Sequence, residues 1–186
     1  MGITFYIKQN FLPSEVCREL RETSRKASGT AAGVVRAGIN RLDDSVRRTT
    51  VLTLPPKASS RVRDPIVSNI PKFEEYFALH LQNCEEIQFL VYREGGYFRA
   101  HRDRNNTPNE PEYIRTRQVA VVLFLNDMND PREGFGGGEL LVYGEVNRCQ
   151  RIVGKSGMLV AFPSDTIHEV TQVRWGERFT AVTFLH

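Results

Sequence analysis

The sequence predicts a mainly β fold with flanking α structure, a jelly roll buttressed by helices near its start. From residue 86 onward, short apolar runs rich in β-branched and aromatic residues alternate with segments rich in Gly, Asn, Asp and Pro. Strands and helices do not alternate there, which argues against a parallel sheet. No internal period is visible, which argues against a propeller or a solenoid. An antiparallel sandwich or barrel remains, and a jelly roll fits best.

The first helix is predicted shortly after an opening strand. Pro13 and Ser14 are residues that commonly begin helices, and Val16, Cys17 and Leu20 recur at helical spacing after them. This segment is expected to be a packing helix.

A second helical stretch is predicted further along, with an apolar stripe formed by Ile66, Ile70, Phe73, Phe77 and Leu81. Pro71 is expected to break or kink it, because proline lacks the N–H that the helix interior requires. His80 lies beside the stripe and is interpreted as a surface or packing histidine.

The chain of 186 residues fits one domain. Residues 1–85 are expected to be mostly helical support, and residues 86–186 to form the β-barrel core with the active site. Five runs in the second part are predicted strands: IQFLVY, VAVVLFL, ELLVY, MLVAF and FTAVTFL. The segment 104–116 between two of them is expected to be a surface loop, either a simple connector or a lid over the site.

Composition narrows the function classes. Hydrophobic residues make up 40% of the chain and charged residues 25%, which is typical of a folded globular protein. The net charge of +3 is too small to indicate nucleic-acid binding by itself. The three cysteines are odd in number and lack a CxxC pair, so neither a disulfide framework nor a cysteine zinc site is predicted. Without a signal sequence or a long apolar run, the expected location is cytoplasmic, with no membrane partner.

A metal site is suggested by three residues. His101 and Asp103 are two positions apart, so on a strand both side chains leave from one face. Such a pair alone could equally be a surface hydrogen-bonded pair. His168 follows the strand MLVAF and a Pro-Ser-Asp turn, and would add a second imidazole. Two imidazoles and one carboxylate leave coordination positions open, as oxygen activation at Fe(II) requires.

Arg178 opens the last predicted strand and shares a strand face with Thr180. A guanidinium fork and a hydroxyl suit the far carboxylate of a dicarboxylic acid. The alternative for Arg178 is an ordinary ion pair at the rim.

The ordered set HRD, His168 and Arg178 resembles the Fe(II)- and 2-oxoglutarate-dependent dioxygenases. The stretch YREGGYFRAHRD is similar to the prolyl 4-hydroxylase branch, with its Tyr, Gly-Gly, aromatic and HxD run. The resemblance covers roughly residues 86–186. It implies a cupin-like double-stranded β-helix whose mouth holds iron bound by His101, Asp103 and His168.

For the co-substrate, the resemblance implies that Arg178 pairs with the C5 carboxylate of 2-oxoglutarate, helped by Tyr92 or Thr180. Phe124 departs from some peptidyl hydroxylases, which carry a tyrosine on this strand. The implied cofactors are Fe(II), 2-oxoglutarate and O2, with ascorbate as a candidate stimulant. The implied reaction couples oxidative decarboxylation of 2-oxoglutarate to hydroxylation of a C–H bond.

The substrate is left open between several classes. The leading expectation is a prolyl or other residue of a protein or peptide, and the alternatives are a free amino acid, a natural-product metabolite, or no turnover at all in a cupin-like binding module. A nucleic-acid demethylase is disfavoured, because its final strand usually carries two arginines and here only FTAVTFLH follows Arg178. Either a monomer or a homodimer is compatible with the sequence.

Four residues are candidates for substrate contact: Arg99, Arg102, Arg115 and Trp175. The arginines, with Arg93 and Arg117, could form a positive rim or could serve solubility alone. Trp175 could line the mouth of the pocket or pack in a barrel corner. Gly136, Gly137 and Gly138 resemble the family's GGxL turn, although a plain hairpin bend explains them as well.

Overall fold

The computed structural model describes residues 4–36, 39–105, 109–144 and 148–186. The helices are α1 Ser14–Lys26, α2 Pro56–Ser68, α3 Ile70–Phe77 and α4 Glu112–Arg115. The strands are β1 Tyr6–Lys8, β2 Gly29–Ala31, β3 Val34–Arg36, β4 Ile39–Arg41, β5 Arg47–Arg48, β6 Thr50–Leu52, β7 Gln88–Tyr92 and β8 Tyr97–His101, followed by β9 Val119–Phe124, β10 Phe135–Gly137, β11 Leu140–Tyr143, β12 Cys149–Ile152, β13 Leu159–Pro163, β14 His168–Val170, β15 Val173–Gly176 and β16 Arg178–Leu185. No helix of the described residues is long and apolar enough to cross a membrane.

Two antiparallel sheets face each other and form the predicted jelly roll. The larger sheet has the strand order β1-β13-β9-β16-β7-β6-β2, and the smaller one has β12-β11-β14-β8-β5. Strands β10 and β15 form a separate two-stranded sheet, and β3 and β4 form another. All five predicted strands are present.

Strand β9 shows why strands of the larger sheet have continuously apolar sequences. Its odd residues, including Val121 and Leu123, pack in one cluster with Leu20 of α1 and Phe73 of α3. Its even residues, such as Val122, pack on the other face against β11 of the smaller sheet. Because side chains alternate along a strand, a strand covered on both faces is apolar at every position.

The predicted break at Pro71 separates α2 from α3. Helix α2 ends at Ser68, Asn69 is its C-terminal cap, and Pro71 lies in the first turn of α3. Proline is tolerated there because the first helical N–H groups have no intrahelical acceptor. Leu81 belongs to the apolar core although it lies beyond the helix.

The first 85 residues contribute more strand than the expectation of mostly helical support allowed. Besides three helices, they supply β1 at one edge of the larger sheet, β6 and β2 at its other edge, and β5 at the edge of the smaller sheet. These strands have two or three residues each, too few to show a period of two in the sequence.

The segment 104–116 contains the short helix α4, which the loop prediction did not include. Residues 106–108 of this segment lie outside the described residues. Its action as a lid stays a prediction.

Candidate metal and co-substrate site

His101 and His168 face each other on neighbouring strands. His101 ends β8, His168 begins β14, and the two are directly paired in the smaller sheet. Their ring centroids are 4.2 Å apart. Strand pairing therefore fixes the relative position of two of the three predicted metal ligands.

Each imidazole is oriented by a backbone carbonyl two residues earlier in the chain. Nδ1 of His101 lies 2.7 Å from the Arg99 oxygen, and Nδ1 of His168 lies 3.0 Å from the Thr166 oxygen. A carbonyl only accepts, so Nδ1 carries the proton and Nε2 is left with its lone pair. This is the arrangement that metal-ligating histidines adopt.

Asp103 completes the cluster from just beyond the end of β8. Its Oδ1 lies 3.6 Å from Nε2 of His101, and its Oδ2 lies 3.3 Å from Nε2 of His168. The three potential ligand atoms are all within 4.8 Å of one another. The two-residue spacing does bring both side chains together, but Asp103 occupies a bend and not a strand position as the sequence predicted.

The charges at this cluster suit a divalent cation. Burial by itself raises the pKa of Asp103, but the nearby His168 and His101, together with Arg117, outweigh it and lower the pKa to about 2. Burial lowers the pKa of His168 to about 4. At neutral pH the site therefore presents a carboxylate and a neutral imidazole, which are the forms that bind metal.

Arg178 lies deep in the molecule at the start of β16. Its side chain is 1% exposed, and Nη1 donates a hydrogen bond to Thr180 Oγ1 at 3.4 Å. Nε and Nη2 are buried and have no hydrogen-bond partner among the described residues. Burial lowers the pKa of Arg178 to about 10, so the side chain remains charged at neutral pH. A buried cation without a carboxylate is costly, which points to an anionic ligand at this position.

Two aromatic rings flank the guanidinium. The Arg178 Cζ atom lies 5.1 Å from the ring centroid of Tyr92 and 4.9 Å from that of Phe124. Tyr92 lines the cavity described below, and Phe124 is fully buried and offers no hydroxyl. Thr180 also lines the cavity, so both predicted hydroxyl donors are close to Arg178.

Gly138, in the Gly-Gly-Gly turn, makes room for this arginine. A Cβ atom at Gly138 would lie 3.0 Å from Arg178 Cδ and 2.9 Å from Val173 Cγ2. Its φ of +62° also lies in the left-handed region that side chains other than glycine rarely adopt. The turn is therefore more than a hairpin bend, since it lets the backbone approach Arg178 closely.

One cavity of about 780 Å³ joins Arg178 to the three potential metal ligands, which are called the metal cluster below. His101, Asp103 and His168 line it together with Tyr92, Arg178 and Thr180. The residues present fit Fe(II) and 2-oxoglutarate, because the donor set is oxygen and nitrogen and the buried guanidinium lacks an anion. The six predicted ligand residues are thus brought into a single pocket.

The predicted substrate residues are placed less uniformly. Arg102 lines the cavity, and its Nη1 donates to the Asp165 carbonyl at 2.8 Å. Arg99 lies over the Tyr97 ring at 4.6 Å, and Arg115 is exposed at the end of α4. Neither of these arginines lines the cavity.

Trp175 is 41% exposed and pairs with Gly136 between β15 and β10. Its indole covers that glycine, where a Cβ atom would collide with the ring nitrogen. Trp175 does not line the cavity, so its observed role is packing, the second of the two alternatives given from the sequence.

Two cavity residues beside the metal cluster were not predicted. The Phe98 ring stacks on the His101 ring with centroids 3.4 Å apart, and the Arg47 Cζ atom lies 4.5 Å from the Phe98 centroid. Phe98 and His101 are three residues apart, which on a regular strand places them on opposite faces. A register shift between β8 and β14 puts them on the same face, and such a shift has no signal in the sequence.

Residues 87–186, more than half of the chain, match the family model of the 2OG-Fe(II) oxygenase superfamily. The chain belongs to this superfamily. The prediction of the family, and with it the implied set of Fe(II), 2-oxoglutarate and O2, is confirmed.

Curated relatives of this 2OG-Fe(II) oxygenase carry the name PKHD-type hydroxylase. That of Alteromonas mediterranea is 33% identical over 81 residues, which is 42% of this chain and 32% of the relative. That of Hyphomonas neptunium is 27% identical over 180 residues, covering 92% of this chain and 71% of the relative. The match to the first of these spans about a third of that relative's length.

Solved structures confirm the fold. A prolyl-4-hydroxylase of Pseudomonas putida superposes with a TM-score of 0.72 at 20% identity, covering 98% of this chain and 91% of the other. A prolyl hydroxylase of Trichoplax adhaerens, in complex with a peptide fragment of the hypoxia inducible factor oxygen degradation domain, gives 0.79 at 19% identity, covering 97% and 82%. The helix-buttressed jelly roll predicted from the sequence is therefore the fold of prolyl hydroxylases.

Proposed function

We propose that this oxygenase is an Fe(II)- and 2-oxoglutarate-dependent hydroxylase. His101, Asp103 and His168 hold the iron, and Arg178 holds the co-substrate. The observation that carries the proposal is that three metal-type ligands and a buried guanidinium with unpartnered nitrogens line one cavity.

The protein's part in the reaction is binding and orientation. His101, Asp103 and His168 would hold the metal with two imidazoles and one carboxylate, a donor set that leaves coordination positions for other ligands. When bound, iron and 2-oxoglutarate together supply the oxidative decarboxylation that drives hydroxylation of a C–H bond. No nucleophilic side chain is needed for this chemistry.

Arg178 orients the co-substrate from a buried position in the cavity lining. A guanidinium binds a carboxylate through two parallel hydrogen bonds, and the low local polarity around a buried arginine strengthens them. The hydroxyl of Tyr92 or Thr180 can donate a further hydrogen bond to the same carboxylate.

For the substrate, we propose a prolyl or other residue of a protein or peptide. The cavity is large, and exposed apolar side chains stand at its lining, with Tyr113 51% and Ile167 38% exposed. Exposed apolar side chains at the lining of a cavity are available to contact a polypeptide substrate. The solved relative from Trichoplax adhaerens is in complex with a peptide fragment, which supports the same choice. A free amino acid or a natural-product metabolite is the second candidate.

We also propose that the protein works in the cytoplasm. Cys17, Cys84 and Cys149 all carry free thiols. Free thiols persist in a reducing compartment.

The test combines metal binding with turnover. Wild-type protein is loaded anaerobically with Fe(II) and 2-oxoglutarate, and succinate is measured after oxygen is added. His101→Ala and Asp103→Ala should lose metal binding and succinate formation. His80→Ala is the matched control, because His80 is a largely exposed histidine that does not line the cavity.

The substrate arm uses mass spectrometry on a peptide library and on a metabolite extract. A gain of one oxygen on peptides supports the protein substrate, and a gain on small molecules alone supports the second candidate. Wild-type protein that binds Fe(II) and never converts 2-oxoglutarate, with either set of substrates, would instead be a binding module.

A further inference from the structure

Asp103 differs from the two histidines in how its backbone is held. His101 and His168 are paired residue to residue across two strands. Asp103 lies in a bend after β8, where no strand pairing fixes it. Its N–H donates to the Ser164 carbonyl at 2.9 Å, which leaves its own carbonyl to be held by another group.

Arg117 supplies that contact. Its Nη1 lies 3.4 Å from the Asp103 carbonyl oxygen and donates to it. The side chain reaches this position from the segment that precedes β9, and the arginine is buried, with 9% of its surface exposed. It also lines the cavity beside the metal cluster.

Glu85 fixes the arginine in turn. Arg117 Nε donates to Glu85 Oε1 at 2.7 Å and Nη2 donates to Oε2 at 2.8 Å, which is a two-point carboxylate pair. His186 Nε2 lies 2.9 Å from the same Oε1. The guanidinium face rests on the Phe184 ring with Cζ 3.6 Å from the centroid. Each of the three guanidinium nitrogens of Arg117 therefore donates a hydrogen bond and one face lies against a ring, so the guanidinium has little freedom to move.

We propose that Arg117, locked by Glu85, is a positioning residue for Asp103. The pair holds the bend after β8 so that the Asp103 carboxylate stays between the Nε2 atoms of the two histidines. Outer contacts of this kind orient metal ligands, and their loss typically lowers metal affinity roughly 10–100-fold. The inference rests on the proposed function, since it takes Asp103 to be a metal ligand.

A competing role for Arg117 is direct contact with the substrate, because it lines the cavity. The two roles separate experimentally. A positioning residue changes metal binding with no substrate present, whereas a substrate contact changes only the KM for the substrate.

The experiment measures Mn(II) affinity by calorimetry and the visible absorption of the Co(II)-loaded protein, both without substrate. Arg117→Lys keeps the charge and removes the two-point pair, and Glu85→Gln keeps the shape and removes the carboxylate charge. We expect both variants to bind Mn(II) roughly 10–100-fold more weakly. We also expect the Co(II) spectrum to shift, because the carboxylate ligand changes its orientation.

Arg21→Lys is the matched control. Arg21 is another buried arginine that pairs with a carboxylate, Glu133, and donates to a backbone carbonyl, that of Leu125. It does not line the cavity. The Arg21→Lys substitution should lower the midpoint of urea unfolding. Its Mn(II) affinity and Co(II) spectrum should be the same as those of the wild type.

The inference would be overturned if both Arg117→Lys and Glu85→Gln kept the Mn(II) affinity and the Co(II) spectrum of the wild type. This holds whether or not the substrate KM rises. Should Arg117→Lys fail to fold, Glu85→Gln alone decides the question. Failure of the proposed function looks different, because then His101→Ala and Asp103→Ala would themselves bind Mn(II) as the wild type does.

Discussion

Tyr92 and Arg178 lie directly opposite each other on adjacent strands of the larger sheet, β7 and β16. The Arg178 Cζ atom is 5.1 Å from the centre of the Tyr92 ring, and both residues line the cavity. Cross-strand partners on one face are within reach of a shared ligand. A carboxylate bound by Arg178 is therefore also close to the Tyr92 hydroxyl, whereas Phe124 on the other side has no hydroxyl to offer.

The first prediction concerns this hydroxyl. Tyr92→Phe should raise the KM for 2-oxoglutarate roughly tenfold with little change in iron affinity, because one hydrogen bond to a charged group contributes about 1.5 kcal/mol. Initial rates of succinate formation at varied 2-oxoglutarate give the KM. Thr180→Val is measured in parallel, and a larger effect there would assign the hydroxyl to Thr180. Tyr76→Phe is the control, since the exposed Tyr76 hydroxyl donates to the Phe5 carbonyl away from the cavity.

The second prediction concerns the glycine over the arginine. Gly138→Ala should raise the KM for 2-oxoglutarate and lower stability by about 1–3 kcal/mol, because the added Cβ meets Arg178 Cδ at a strained φ. Gly95→Ala is matched for strain, since its φ is +80°, but the nearest atom to its Cβ would be 3.6 Å away. Gly95→Ala should therefore lower stability without changing the KM for 2-oxoglutarate. Equal KM values in the two variants would mean that Gly138 does not shape the arginine's position.

The third prediction concerns pH. Burial lowers the pKa of His168 from an ordinary 6.5 to about 4. Between these values the unfolded chain binds a proton that the folded chain does not, so the free energy of unfolding falls as the pH falls through this window. Asp103 acts in the same direction at lower pH, because its contribution is present above its ordinary pKa of 3.8 and is lost as the pH falls toward about 2.

Urea unfolding of metal-free protein from pH 7 to pH 4 measures the effect. His168 should contribute a slope of at most about 1.4 kcal/mol per pH unit. His168→Asn should flatten the curve over this range. A His168→Asn curve as steep as the wild type would show that other groups cause the acid sensitivity.

Much of the fold could be predicted from short-range patterns in the sequence. The five apolar runs became β7, β9, β11, β13 and β16, because a strand needs only a short run of suitable residues to be recognised. The short strands of the first 85 residues left no such pattern. They owe their conformation to pairing with the edges of the two sheets, and pairing partners lie far away in the chain.

The same division holds within the candidate site. The sequence by itself determined the chemical groups: a two-residue HxD step, a second histidine after a strand, and an arginine at the start of the last strand. Those signals depend on residue type and near spacing, which any fold must respect. They also sufficed to identify the superfamily.

Only the tertiary structure decided how these groups are held. The register shift that stacks Phe98 on His101 and the contact from Arg117 to Asp103 both join segments distant in sequence. Such contacts depend on how whole strands align, and strand register follows from packing of the complete core. The sequence thus identified the candidate ligands, and the packing of the two sheets set their geometry.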